Sequence, residues 1–225
     1  MLAKLKYENP IIGNIKGIEH EIKLKNHTPI QLKPYKIPLA LIEDFKNHFN
    51  LWVRQGVIRS SNSNYASPSY GISKKNGKIR IVTNYVELNS IKEEQIYQFQ
   101  DLHRSFQGLK YRVIFSQIDL DSGFNQIAIK EDELYKTAFI TELEHYEYCK
   151  MPFGMKNAPK SFQRTMEQIL EGVRNISIFV DDILIVSKSL EEHIEDVEIV
   201  IKRLYEHGAK INYEKSLFCI DEINF

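Results

Sequence analysis

Ile176-Ser-Ile-Phe-Val180, Asp181-Asp182 and Ile183-Leu-Ile-Val186 run on without a break. Two β-branched apolar runs separated by two residues read as buried strands joined by a tight hairpin. Asp tolerates turn geometry, so for this pair alone a solvated turn is the plain alternative. A third carboxylate, Asp119, closes another apolar run, Val113-Ile-Phe-Ser-Gln-Ile118. Three acids at strand ends form a donor set able to hold two divalent cations, the arrangement used for phosphoryl and nucleotidyl transfer.

The neighbouring elements decide whether those acids meet. Between Asp119 and Asp181, a helix opens after Pro159 with Phe162, Met166, Ile169 and Leu170 on one face and Gly172 at its end. After the pair, Ser189 as N-cap with Glu192 three residues on makes a capping box. That helix carries the stripe Leu190, Ile194, Val197, Ile201 and Leu204 and stops at Gly208. Lys210–Tyr213 and Leu217–Ile220 read as further strands, and Phe99, Leu102, Phe106 and Leu109 mark a helix before the strand at 112–120. The first strand is followed by an excursion containing Asn125–Ile129, Lys136–Phe139 and Tyr146–Cys149; with it set aside, the order is βαββαβ, the split-βαβ or ferredoxin-like pattern. It makes the first and second core strands parallel with the third between them, so Asp119, Asp181 and Asp182 converge on one sheet edge.

Nearer the N-terminus, Pro38 opens a helix with Ile42, Phe45, Phe49 and Trp52 in register and Gly56 as its stop. Asn76-Gly77 between strand-like arms is a strong hairpin signal, with Lys74, Lys75, Lys78 and Arg80 around the turn. A charged tip of this kind also serves simply as a solvated edge that resists aggregation. At 225 residues, 43% hydrophobic and 27% charged, the chain has ample core material and the profile of a globular protein. No apolar run suits a secretory signal or a membrane span. Two isolated cysteines and seven scattered histidines fit a reducing compartment and argue against a zinc site. Net charge is zero, yet residues 1–82 carry 14 Lys+Arg against 5 Asp+Glu while the remainder carries 16 against 25. A basic first part suited to an anionic polymer therefore precedes an acidic part suited to metal binding.

Gln55-Gly-Val-Ile-Arg59, Ala66-Ser-Pro68, Lys74-Lys-Asn-Gly-Lys-Ile-Arg80, Leu88-Asn89, Phe115-Ser-Gln-Ile-Asp-Leu-Asp-Ser-Gly-Phe124, Gln126-Ile127, Lys136-Thr-Ala-Phe139, Met151-Pro-Phe-Gly-Met-Lys-Asn-Ala-Pro159, Ser161-Phe-Gln163, Phe179-Val-Asp-Asp-Ile-Leu-Ile-Val-Ser187 and His193 follow in one collinear order. On these stretches the chain resembles the reverse transcriptase of Ty3/gypsy-type long-terminal-repeat retrotransposon Pol polyproteins. The resemblance implies an α+β polymerase right hand: an N-terminal arm and fingers at 1–93, palm at 94–126, second fingers part at 127–157, and second palm part at 158–225. The chain would then stop before the primer grip, with the thumb absent.

By the same resemblance, Asp119, Asp181 and Asp182 are catalytic and metal-binding, with two Mg2+ ions as cofactors and Mn2+ as a substitute. Lys74, Arg80, Ser122, Gly123, Phe124, Phe153 and Gly154 would bind the deoxynucleoside triphosphate, Phe124 as steric gate, and Phe179 is the aromatic of the Asp-Asp motif. Implied partners are an RNA or DNA template with its primer, dNTPs and the other Pol segments (thumb, RNase H, integrase, protease), with no membrane and an intracellular location. Three positions depart from the pattern: Asn84 and Val86 replace an acid and a base, and Phe179 replaces a tyrosine. The alternatives are a folded but inactive polymerase remnant and a non-catalytic RNA-binding module. The RNA-binding module needs base-stacking aromatics on its sheet, and Ile183–Ser187 has none.

Overall fold

A computed structural model describes residues 13–73, 79–97, 114–179 and 182–222. The chain divides into two compact units, one of Met1–Ile18, Ile96–Gln126 and Pro159–Phe225, the other of Glu19–Gln95 and Ile127–Ala158.

The first unit is built on four strands, β5 (Ile114–Asp119), β9 (Ile176–Phe179), β10 (Asp182–Ser187) and β11 (Leu217–Ile220), in the order β11-β5-β10-β9. Every neighbouring pair is antiparallel, so β5 and β9 run the same way with β10 between them, as the split-βαβ order requires. Ile183, Leu184, Ile185 and Val186 of β10 are all buried, the signature of a central strand covered on both faces. Helix α3 (Ala158–Ile169) lies between β5 and β9 in sequence and buries Phe162, Met166 and Ile169. Helix α4 (Leu190–Glu206) follows β10 and buries His193, Val197, Val200, Ile201 and Leu204. Its N-cap is the expected one: Glu192 N donates to Ser189 Oγ at 3.2 Å, and the Glu192 carboxylate accepts from Lys188 N at 3.1 Å. Beyond its C-terminus Gly208 sits at φ +77°, and a Cβ there would come 2.4 Å from Asn14 O. Glycine is needed because residues 14–16 lie against this corner, with Asn14 N donating to Gly208 O at 2.8 Å.

The second unit holds a five-stranded sheet, β2 (Ile58–Ser60), β3 (Ser67–Ser73), β4 (Ile79–Thr83), β7 (Phe139–Ile140) and β8 (His145–Tyr148), in the order β2-β8-β7-β3-β4. A short parallel pair, β1 (Glu19–His20) with β6 (Ala128–Ile129), ties its two chain segments together. Helix α1 (Ile42–Arg54) buries Phe45 and Phe49, and the Phe49 ring lies 5.1 Å from that of Tyr146. The arms of the Asn-Gly hairpin pair from Ser69↔Thr83 to Ser73↔Ile79, and its tip, 74–78, lies outside the described residues. Helix α2 (Val86–Ile91) follows β4.

Three sequence expectations shift. Asp182 is a strand residue paired with Phe179 and Asp119, not half of the turn. Lys210–Tyr213 forms only an isolated bridge, Leu120↔Ile211, rather than a strand. Pro38 starts a 3-10 turn, Leu39–Leu41, that leads into α1. The helix expected at 99–109 lies outside the described residues.

Candidate active site

The antiparallel register of β5 and β10 makes Asp119 and Asp182 direct Cα partners. Residues directly opposite on neighbouring strands project from the same face, so two carboxylates are placed side by side at the strand ends, where like charges repel. Asp119 Oδ1 is sealed from solvent and has no hydrogen-bond partner among the described residues. Burial pushes the Asp119 carboxyl above its usual range; Lys215 opposes that, and Asp182 and Asp121 add to it. The backbone around Asp119 is held instead: Asp119 N donates to Ser216 Oγ at 3.1 Å, and Asn212 N donates to Asp119 O at 2.9 Å. On the other carboxylate, Gln117 Nε2 donates to Asp182 Oδ1 at 2.8 Å.

A buried, unpartnered carboxylate oxygen beside a second carboxylate is an arrangement that a hard divalent cation relieves, since such ions take oxygen ligands. The residues therefore fit a metal. Asp181 lies outside the described residues, and among those described no group of three His, Cys, Asp or Glu is placed to hold an ion.

The segment after Asp119 is a tightly held turn. Ser122, exposed, has φ +53°, and Gly123–Gln126 form a 3-10 turn with Gly123 and Phe124 buried. Left-handed backbone at a non-glycine residue costs about 1 kcal/mol, and the surrounding bonds offset it. Buried Gln126 donates through Nε2 to Asp121 O (2.8 Å) and Lys210 O (3.0 Å) and accepts from Lys210 N at 2.7 Å. The Phe124 ring is 7% exposed and stands edge-on to Phe162 at 5.3 Å, so much of it is core. Phe179, the partner of Asp182, is exposed.

In the second unit, the Arg80 guanidinium carbon lies 5.3 Å over the ring of exposed Phe153, within cation–π range. Gly154 follows at φ +88°. Asn89 clamps this loop: its Nδ2 donates to Gly154 O and its Oδ1 accepts from Lys156 N, both at 2.8 Å. Lys74 lies outside the described residues. At the departures, Asn84 Oδ1 accepts from Val86 N (3.1 Å) and Asn84 Nδ2 donates to Tyr35 OH (3.0 Å). Asn84 thus shapes the turn into α2 with no charge to balance, and Val86 is exposed.

Residues 72–225 match the reverse transcriptase (RNA-dependent DNA polymerase) family. The chain belongs to that family. It is 36% identical over 215 residues to the retrovirus-related Pol polyprotein from transposon 297 of Drosophila melanogaster, covering 92% of this chain and 20% of the relative. It is 30% identical to the enzymatic polyprotein of cauliflower mosaic virus (strain Strasbourg), covering all of this chain and 34% of the relative. The chain therefore spans about a fifth to a third of these relatives. Among solved structures it is similar to the foamy viral protease–reverse transcriptase in complex with an RNA/DNA hybrid, at TM-score 0.86 and 27% identity, covering 95% of this chain and 29% of that one. A foamy viral protease–reverse transcriptase in complex with double-stranded DNA gives TM-score 0.85 and 28% identity, covering 95% of this chain and 38% of that one. The α+β fold is thus the fingers-and-palm fold of reverse transcriptases.

In this reverse transcriptase chain, sequence reading missed Gln117 on Asp182, Ser216 behind Asp119, and Asn89 behind Gly154. Period-2 alternation places Gln117 on the face of Asp119 and flags it in retrospect; Ser216 comes from a distant loop and leaves no local signal. Among the described residues no helix is long and apolar enough to cross a membrane.

Proposed function

We propose that this chain is the fingers-and-palm part of an RNA-directed DNA polymerase that extends a primer with deoxynucleotides on an RNA or DNA template. Its first unit is the palm and its second the fingers, and Asp119, Asp181 and Asp182 hold two Mg2+ ions. The observation that carries this reading is the pairing of Asp119 with Asp182 across β5 and β10, with Asp119 Oδ1 buried and without a hydrogen-bond partner among the described residues. When bound, the ions lower the pKa of the primer 3′ hydroxyl and stabilise charge on the attacking and leaving oxygens.

The chain's own residues do the rest. Asp119 and Asp182 concentrate negative charge at one strand edge and fix where cations sit. Arg80, stacked on Phe153, offers a preorganised planar donor to a phosphate, and Lys74 adds a second positive charge. Ser122, Gly123 and Phe124 form the sugar side of the nucleotide site, where any exposed edge of the Phe124 ring excludes a ribose 2′ hydroxyl. The template–primer, the triphosphate and further Pol segments are partners on this reading.

The test is Mg2+-dependent primer extension by this chain, and by a chain extended at its C-terminus with the matching part of the transposon 297 relative. Incorporation that vanishes in Asp119→Asn and Asp181→Asn, with folding unchanged by circular dichroism, is the expected result. Undiminished extension by either variant overturns the assignment.

A further inference from the structure

Gln117 and Asp119 are two apart on β5 and share a face by the period of the strand. Asp182 is opposite Asp119, and Leu184 is opposite Gln117, which makes Gln117 and Asp182 diagonal neighbours. A long side chain spans that diagonal, and Gln117 Nε2 stands 2.8 Å from Asp182 Oδ1. This hydrogen bond leaves the charge of Asp182 in place, because an amide donor is itself uncharged. Lys210 pairs with Asp121, at 2.6 Å.

We propose that Gln117 is a positioning residue for the cation site: its amide pins one oxygen of Asp182 and leaves the other, with the full carboxylate charge, to a divalent ion. Held this way, Asp182 keeps one rotamer beside Asp119 rather than swinging to solvent. A lysine or arginine at 117 would fix the same oxygen and cancel the charge that attracts the ion. An apolar residue would leave both the charge and its freedom to rotate. Gln117 is the residue type that orders the carboxylate and keeps its charge. The inference rests on the metal-site reading above.

The test uses Mn2+ binding to the full chain, followed by electron paramagnetic resonance of free Mn2+, with Gln117→Met and Gln117→Lys compared with the unaltered chain. Met has nearly the length of Gln and no donor. Outer-shell partners of metal ligands typically contribute about 10-fold or more in affinity, so affinity is expected to fall about 10-fold in Gln117→Met and further in Gln117→Lys, at unchanged melting temperature. In primer extension, Gln117→Met should raise the Mg2+ concentration needed for half-maximal rate while leaving the rate at saturating Mg2+ nearly unchanged. A merely structural role would move melting temperature instead.

Gln117→Met with undiminished Mn2+ affinity overturns the proposal, as does Gln117→Lys binding as tightly as Gln117→Met. Failure of both variants to fold makes Gln117 a structural residue and overturns it equally. Asp119→Asn separates the two levels. If the unaltered chain and Asp119→Asn bind Mn2+ alike, the metal site itself is wrong; if only Asp119→Asn loses binding, the site stands and the role of Gln117 falls.

Discussion

Asp119 is held against its own preference. Its carboxyl is raised by burial, so its charged form is disfavoured in the folded chain. A carboxylate whose folded pKa lies above the unfolded value gains stability as pH falls and loses it as pH rises. Asp119→Asn should therefore raise the melting temperature of the metal-free chain at neutral pH, and excess Mg2+ should close the gap by stabilising only the unaltered chain. Equal melting temperatures without metal would remove the strain argument. Lys92 shows the same conflict in the second unit. It is fully buried, its Nζ has no hydrogen-bond partner among the described residues, and burial depresses its pKa to about 8. Glu133 faces it but is already bonded to Lys136 Nζ at 3.0 Å. A depression of this size corresponds to about 3 kcal/mol, so Lys92→Met should raise urea stability at pH 7 by about 1–3 kcal/mol. The unfolded lysine titrates near 10.5, so the unaltered chain alone should gain stability as pH climbs from about 8 towards that value.

Three strands and a helix of the first unit are joined by one chain of hydrogen bonds whose direction is fixed. Ser187 Oγ donates to Asp196 Oδ2 at 2.7 Å, so it must accept from His193 Nδ1–H at 3.0 Å. His193 Nε2 is then the acceptor for Ser116 Oγ–H at 2.7 Å, and Ser116 Oγ accepts from Cys219 N at 3.1 Å. The relay runs from β11 through β5 and α4 to β10, and it demands a neutral imidazole. Burial depresses His193, Asp196 partly opposing, and His20 in the second unit falls to about 3. Both folded values lie below the unfolded 6.5, so the unfolded chain takes up protons first. Stability is therefore full above about pH 6.5 and declines as pH falls, by up to about 1.4 kcal/mol per pH unit for each histidine. His193→Gln should be less stable at pH 7 yet show a shallower decline between pH 7 and 5 in urea titrations. An unchanged slope would mean that His193 does not titrate there. On the same helix, Ser189→Ala should cost about 1 kcal/mol through loss of the cap.

Charge is unevenly distributed along the sequence. Residues 1–82 hold 14 basic against 5 acidic groups, while the formal net charge of the chain is zero. Attraction to a template–primer should come chiefly from phosphate contacts, so log affinity should fall linearly with log salt concentration through counterion release. Replacing Lys74, Lys75 and Lys78 with Gln should flatten that slope by about one for each phosphate left without its lysine. Fluorescence anisotropy of a labelled primer–template between low and moderate salt measures it. A slope that survives the triple substitution would place the phosphate-binding groups elsewhere.

Local periodicity and capping chemistry determined α1, α3, α4, the Asp-Asp strands and the βαββαβ order, because each is written in residues three, four or two apart. That order alone implied that Asp119 and Asp182 meet at one edge, and in the structure the two are Cα partners. The register itself came from the tertiary structure: it moved Asp182 from the turn into the strand and brought Gln117 onto its carboxylate. The strand expected at 210–213 is reduced to one bridge, Leu120↔Ile211, closed by Asn212 N to Asp119 O and Asp121 N to Lys210 O, while Lys210 N turns to the side-chain Oε1 of Gln126. Ser216 and Asn212 support the site from positions more than ninety residues away, and no local pattern encodes that. Sequence periods specify which face a residue takes. Only packing decides which other face it meets, since burial and hydrogen bonding are settled between segments far apart in the chain.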